Sequence, residues 1–335
     1  MSYRRIVITE FGGPEVLKSV EEEQLPEPAQ GEVRARVLFT TASFTDIMIR
    51  KGMYREVKEK PPFSPGYDMV GLIDSVGKGV EDFSEGDLIA YMTVIGGYSE
   101  YICLPAERLI RVPDGVDPAE AVSAILSYVT AYQMLHRIAG VEPEQSVLVH
   151  GAGGAVGTAI LQLGKLIQLR MFGTASTGKH DLVSGLGGVP IDYRSEDFVE
   201  RVKELTENGV DAAFDHIGGS HFRRSFSCLR KDGILVAYGF YDAVTGKGGS
   251  IPVDFMKLKL WNLLPNGRSA EFYSIGVLRK KHPDWFMNDL SHIFGLLRER
   301  KIKPVIDRRM PLSRAAEAHR LIEEGKVRGK IVLDV

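Results

Sequence analysis

Val147-Leu148-Val149-His150-Gly151-Ala152-Gly153-Gly154-Ala155-Val156-Gly157 decides the fold of this 335-residue chain. An apolar strand runs into a glycine-rich turn, and the turn opens a helix. Along that helix Val156, Ala159, Ile160, Leu163, Leu166 and Ile167 form one apolar stripe. Glycines permit the tight strand-to-helix turn. They also let backbone N–H groups approach a pyrophosphate at the helix N-terminus, where the dipole favours negative charge. Gly151, Gly154 and Gly157 keep a three-residue spacing, and the frame Gly151/Gly153 to Gly157 is one residue longer than the common fingerprint. The reading is a dinucleotide cradle formed by Gly151, Gly153, Gly154, Ala155, Val156 and Gly157.

Outward from this loop, strands and helices alternate. Strands are expected at Ser146–His150, Met171–Thr174, Val210–Asp215, Gly233–Tyr238 and Phe272–Gly276, with helices at Ala155–Leu169 and Phe198–Thr206. Such alternation predicts a doubly wound parallel sheet. The first ~120 residues read instead as short alternating strands punctuated by glycines, fitting a small barrel or sandwich. The tail carries expected helices at Asp284–Glu299 and Leu312–Glu324 and a last strand at Lys330–Val335.

Enzymes that use NAD place an acidic residue about 20 positions after the glycines to hold the ribose 2′-hydroxyl. No Asp or Glu occurs from Ala155 to His180. Thr174, Ser176 and Lys179 stand there instead. Hydroxyls and an ammonium suit a 2′-phosphate, so NADPH is the expected cofactor.

Composition narrows the classes. Hydrophobic residues make up 44% and charged residues 26%, and 42 basic against 44 acidic residues leave a net charge of −2. That balance argues against disorder and against a nucleic-acid or membrane footprint. Two cysteines, Cys103 and Cys228, make neither a disulfide framework nor a four-cysteine zinc site. No apolar run approaches the ~20 residues of a membrane helix, and the start of the chain reads as no signal peptide. A cytoplasmic setting is expected.

Further motifs carry a resemblance. Phe11-Gly12-Gly13-Pro14-Glu15-Val16-Leu17, Pro65-Gly66-Tyr67-Asp68-Met69-Val70-Gly71, Val76-Gly77-Lys78-Gly79-Val80, Gly96-Gly97-Tyr98-Ser99-Glu100, Tyr193-Arg194, Phe214-Asp215-His216-Ile217-Gly218-Gly219 and Gly329-Lys330-Ile331-Val332-Leu333 together resemble the medium-chain dehydrogenase/reductases. The nearest branch is the zinc-lacking quinone oxidoreductases, the zeta-crystallin-like proteins. The resemblance implies a Rossmann domain over residues 123–269. It also implies a GroES-like β-barrel domain for substrate from 1–122 and 270–335, and a homodimer paired through the sheet edge. It implies cofactor contacts at Ser43, Thr130, Tyr193, Gly239, Phe240, Tyr241 and Lys330.

Zinc-dependent alcohol dehydrogenases of this superfamily carry a cysteine in the segment here reading Ala42-Ser43-Phe44-Thr45-Asp46, and a histidine where Tyr67 stands. Serine and tyrosine are poor zinc ligands beside thiolate and imidazole, so no metal is expected. What remains is hydride transfer to a quinone or small α,β-unsaturated carbonyl. By the resemblance, Tyr54 aligns with a tyrosine that related enoyl reductases place in the cleft, which makes it the candidate donor to the developing oxyanion, with Tyr67 a second. An enoyl-thioester reductase and a non-catalytic NADPH-binding or adaptor protein are the alternative readings.

Overall fold

A computed structural model describes residues 1–335. The residues form two compact units, Met1–Leu126 with Phe286–Val335, and Ser127–Trp285. The chain starts in the first unit with the antiparallel pair β1 (Tyr3–Ile8) and β2 (Leu17–Glu22). β3 (Glu32–Ala42) is next, then α1 (Phe44–Arg50), β4 (Met69–Val76), β5 (Leu88–Tyr91), β6 (Tyr101–Pro105) and β7 (Ile110–Arg111). Strand alternation turns Val33, Ala35 and Val37 of β3 into a core with Met69, Ile73, Ile89 and Leu104.

α2 (Pro118–Tyr132) carries the boundary and continues as a π-helix over Gln133–Ala139. The second unit then alternates β8 (Ser146–His150), α3 (Ala155–Leu166), β9 (Arg170–Ala175), α4 (His180–Gly185), β10 (Gly188–Asp192), α5 (Phe198–Leu205), β11 (Val210–Asp215), α6 (Ser220–Ser227) and β12 (Leu229–Ala237). α7 (Tyr241–Val244), α8 (Ile251–Trp261), β13 (Ser269–Phe272) and α9 (Ile275–Lys281) complete it. Its six strands are parallel in the order β10-β9-β8-β11-β12-β13. This is the doubly wound sheet expected from the alternation. Val147, Leu148 and Val149 are all fully buried, as a parallel strand covered on both faces requires.

Register aligns the strand ends. His150 pairs level with Thr174 on β9, and Phe214 pairs with Val149, so Asp215 comes level with His150. Three polar side chains thus end neighbouring strands at one carboxyl edge.

α10 (Pro283–Arg298) leads back to the first unit, where β14 (Ile306–Pro311), α11 (Ala315–Glu323) and β15 (Lys330–Asp334) close the chain. β15 pairs with Phe39–Ala42 of β3, while Glu32–Arg36 of the same strand pair with β6. The tail therefore completes the N-terminal sheet, in the order β14-β15-β3-β4-β5-β7.

Some element bounds shift. The strand at Phe272–Gly276 lies earlier, at Ser269–Phe272, because Ser274 caps α9 through Val277 N–H. The contact units divide at 126/127 and 285/286, where the resemblance put 122/123 and 269/270. β13 and α9 belong with the parallel sheet.

A buried polar chain ties the tail to α1. The fully buried Arg50 donates to Glu323 Oε1 at 2.9 Å and to the Gly12 carbonyl at 3.1 Å, and its Nη1 meets His319 Nδ1 at 3.3 Å. Burial holds His319 down at about 3, so its ring is neutral; Nδ1 accepts from the guanidinium and Nε2–H donates to Tyr98 Oη, 3.1 Å away. Removing the counter-charge strands a buried guanidinium. Glu323→Ala is therefore expected to lower unfolding free energy by about 2–3 kcal/mol in urea denaturation, a figure reduced because Glu323 is partly solvated.

Candidate active site

β8 ends at His150, and five residues later α3 begins. Gly151 sits at φ +63°, a left-handed conformation that glycine adopts without strain. A Cβ on Gly157 would stand 2.4 Å from the Gly151 oxygen, so this glycine lets the helix press onto the turn. Gly154 is different. Its φ is −92°, and an added Cβ would meet only the Gly151 oxygen, at 3.2 Å. Its missing side chain leaves space in front of α3. There the amides of Ala155, Val156 and Gly157 have no intrahelical acceptor and point at that space with the positive end of the helix dipole. These features fit a pyrophosphate.

Lys179 lies against the same loop. A Cβ on Gly153 would stand 2.7 Å from Lys179 Cδ, so the lysine stem crosses the space that this glycine vacates. Lys179 ends the short Thr177–Lys179 turn that Ser176 opens, with its N–H bonded to the Ser176 carbonyl at 2.8 Å. Asp192 pins that turn by accepting from Thr177 Oγ1 at 2.5 Å, a bond that holds the Asp192 carboxyl below its usual range. Tyr193 is next in the chain, exposed, with the Arg194 guanidinium 5.8 Å from its ring centroid.

Other expected cofactor residues take different positions. The Thr174 side chain points inward, its hydroxyl at 3.0 Å from His150 Nδ1 and accepting from Gly151 N–H at 3.3 Å. Phe240 packs in an aromatic core, stacked on Phe272 with centroids 5.0 Å apart, and its carbonyl accepts from Val244 N–H at 3.0 Å. Gly239 allows its chain to cross His216 closely, since a Cβ there would lie 3.0 Å from the His216 carbonyl oxygen. Tyr241 N–H donates to that same carbonyl, starting α7. Thr130 is buried on α2.

In the first unit, Tyr54 and Tyr67 meet. Their phenol oxygens are 2.7 Å apart and their rings cross edge to face at 5.8 Å. Tyr67 is fully buried; Tyr54 is half-buried. The turn presenting Tyr67 is over-determined. Gly66 has φ +108°, and a Cβ there would fall 2.4 Å from Tyr98 N. Its N–H donates to Asp46 Oδ1 at 3.2 Å. Asp46 also closes a capping box on α1: its Oδ2 accepts from Ser43 N–H at 2.9 Å and from Ser43 Oγ at 2.6 Å. The Ser43 hydroxyl proton is thus committed to the cap. Burial pushes the Asp46 carboxyl up to about 7, opposed by the Ser43 hydrogen bonds and reinforced by the charge of Asp68.

Asp68 accepts from Thr41 Oγ1 at 2.6 Å, and burial raises its pKa, countered by the Lys330 charge. The buried Lys330 ammonium lies 3.9 Å from Asp68 Oδ2. In this unit it faces a carboxylate, where the resemblance implied a cofactor contact.

One cluster escaped the sequence reading. His150, Asp215 and His221 bring possible ligand atoms within 4.8 Å of one another. The histidines show no paired spacing because 71 positions separate His150 from His221, counted as 221 − 150. Strand register and one turn of α6 assemble them. The available signal was polarity at strand ends: His150 and Asp215 each follow the apolar centre of a strand.

The chain is similar to known proteins along its whole length. Residues 29–114 match the alcohol dehydrogenase GroES-like domain, and residues 187–333 match the zinc-binding dehydrogenase family. The synaptic vesicle membrane protein VAT-1 homolog of Danio rerio is 33% identical over 99% of this chain and 70% of its own length. Human quinone oxidoreductase is 30% identical over 98% of this chain and 97% of its own. The crystal structure of Escherichia coli quinone oxidoreductase complexed with NADPH superposes with a TM-score of 0.89 at 26% identity, covering 99% of this chain and all of that one. With a parallel nucleotide-binding sheet in one unit, a GroES-like match in the other and these relatives spanning its length, the chain belongs to the zinc-lacking quinone oxidoreductase branch of the medium-chain dehydrogenase/reductases.

Proposed function

We propose that this protein is an NADPH-dependent reductase that delivers hydride to a quinone or a small α,β-unsaturated carbonyl without zinc. The observation that carries the reading is the phenol pair, Tyr54 Oη to Tyr67 Oη at 2.7 Å, standing where a zinc-dependent relative would have a metal ligand. Support for the cofactor comes from the open glycine loop and from the NADPH complex of the Escherichia coli relative.

NADPH, when bound, supplies the hydride. The chain does the rest. Amides of Ala155 and Val156 hold the pyrophosphate, and Lys179 with Ser176 holds the 2′-phosphate. Tyr54 donates a hydrogen bond to the acceptor oxygen as charge grows there. Tyr67 donates to Tyr54 and so polarises its O–H bond. In this reading the chain acts as a homodimer joined through a sheet edge, with β13 one of the two edge strands of the parallel sheet; no helix is long and apolar enough to cross a membrane.

A second reading is that NADPH binding serves association rather than turnover. It rests on the exposed apolar run Val253, Met256, Leu260, Leu263 and Leu264 around α8, and on relatives named as vesicle membrane proteins. NADPH binding with no oxidation by a simple quinone, an enone or a crotonyl thioester selects it.

Three outcomes test the catalytic reading. NADPH binds more tightly than NADH by titration calorimetry, and Lys179→Ala weakens NADPH by about 1–2 kcal/mol while leaving NADH nearly unchanged; equal affinities in the wild type refute the cofactor choice. Dialysis against a chelator leaves turnover unchanged, because neither Ser43 nor Tyr67 offers a zinc ligand. Tyr54→Phe lowers turnover of an enone by about 10²–10³ and of a quinone by less, since the quinone product is already a delocalised phenolate. Wild-type rates on both substrates would make Tyr54 a packing residue.

A further inference from the structure

The cluster beneath the glycine loop contains a hydrogen-bond chain whose directions are all determined. Asp215 is fully buried, and its Oδ1 accepts from Ile217 N–H at 2.7 Å. Its Oδ2 lies 2.6 Å from Ser225 Oγ and 2.7 Å from His221 Nδ1. Burial raises the Asp215 pKa, but His221 and the Ser225 hydrogen bond outweigh it, leaving the carboxyl well below its usual range and ionised. An ionised carboxylate only accepts, so the Ser225 hydroxyl and His221 Nδ1–H both donate to it. Ser225 Oγ also stands 3.1 Å from the His221 carbonyl, a longer contact to an uncharged acceptor.

Because the Ser225 proton goes to Asp215, Ser225 Oγ accepts from its other partner, His150 Nε2, at 3.0 Å. Burial holds His150 well below its ordinary value and therefore neutral. With its one proton on Nε2, its Nδ1 is bare and accepts from Thr174 Oγ1–H at 3.0 Å. Thr174 Oγ1 in turn accepts from Gly151 N–H at 3.3 Å. Thr174 O accepts from Ala152 N–H at 3.0 Å. Every side-chain donor between the loop and Asp215 points the same way.

We propose that Asp215, acting through Ser225, His150 and Thr174, is the positioning residue that fixes the glycine loop for the cofactor pyrophosphate. The chain holds the first loop amide on Thr174 and so turns the loop's open side toward α3. The same atoms explain the His150–Asp215–His221 grouping without a metal. Both His150 nitrogens are engaged, and the Ser225 hydroxyl bridges His150 to the carboxylate. The His150 ring crosses that of Phe198 edge to face and the His221 ring lies tilted against it, with centroids 4.8 Å apart in each pair, which fixes both rings.

The inference rests on nucleotide binding by this loop. NADPH dissociation constants for the wild type, Ser225→Ala, Thr174→Val, their double variant and Thr174→Ser test it by fluorescence titration, with circular dichroism and thermal melts on each. Ser225 lies on α6 and is no part of the cradle. Ser225→Ala and Thr174→Val are each expected to weaken NADPH about tenfold. The double variant is expected to be no more than about twofold worse than the weaker single, because either change breaks the same chain. Thr174→Ser keeps the hydroxyl and stays within about threefold of wild type.

Unchanged binding in a folded Ser225→Ala overturns the proposal. Multiplied losses near a hundredfold in the double variant, or Thr174→Ser as weak as Thr174→Val, also overturn it. If Ser225→Ala does not fold, the Thr174 pair decides by the same criteria. Stoichiometric zinc retained by the wild type and lost in His221→Gln replaces it with a metal site. A wild type that binds neither NADPH nor NADH refutes the proposed function and this inference together, whereas equal binding by wild type and Ser225→Ala refutes this inference alone.

Discussion

At the β8–α3 junction the helix presses so closely on the preceding turn that a Cβ at Gly157 would lie 2.4 Å from the Gly151 oxygen. That close approach sets the N-terminus of α3 against the carboxyl edge of the parallel sheet. The unpaired first-turn amides, the space left by Gly154 and the lysine stem over Gly153 all depend on it. Relaxing the junction would move the amides relative to one another, and a pyrophosphate is recognised by their joint direction rather than by any one of them.

The other unit uses a similar device with different chemistry. Asp46 is a buried carboxylate receiving Ser43 and Gly66 donors, so one side chain both caps α1 and holds the turn before Tyr67. In both units a buried carboxylate, Asp46 or Asp215, organises backbone beside a proposed functional group and satisfies its own oxygens in doing so. Burying these charges is costly unless donors surround them, which accounts for the density of hydrogen bonds at both places.

Much of the parallel sheet was legible because its signals are local. Ser146–His150 and Val210–Asp215 carry short apolar centres, Val147-Leu148-Val149 and Ala212-Ala213-Phe214, and they are strands over those residues. The stripe of α3 holds at Ala159, Ile160 and Leu163, which are buried, but Leu166 is exposed and Ile167 lies beyond the helix end. α8 was missed: it is apolar on more than one side, with Met256 and Leu260 exposed and Leu258 buried, so periodicity gave no face. The displaced β13 shows the same limit, since Phe272–Gly276 reads as a strand until the Ser274 cap is seen.

The glycine spacing, the missing acid after it and the identities at Ser43 and Tyr67 are properties of the chain alone, since each is a local choice of residue type. They carry the expectation of a nucleotide-binding loop, and they differ from the zinc ligands of the superfamily. Which hydroxyls face outward was not readable. Thr174 and Ser43 turn inward, and Phe240 joins a core, because strand alternation and capping commit those side chains before any ligand is considered. The Tyr54–Tyr67 contact depends on a loop folding back across 13 positions, and the His150–Ser225–Asp215–His221 chain depends on parallel register between distant strands. Contacts of that kind come from packing, in which residues far apart in sequence are brought level by shared hydrophobic faces, and only the tertiary structure decides them.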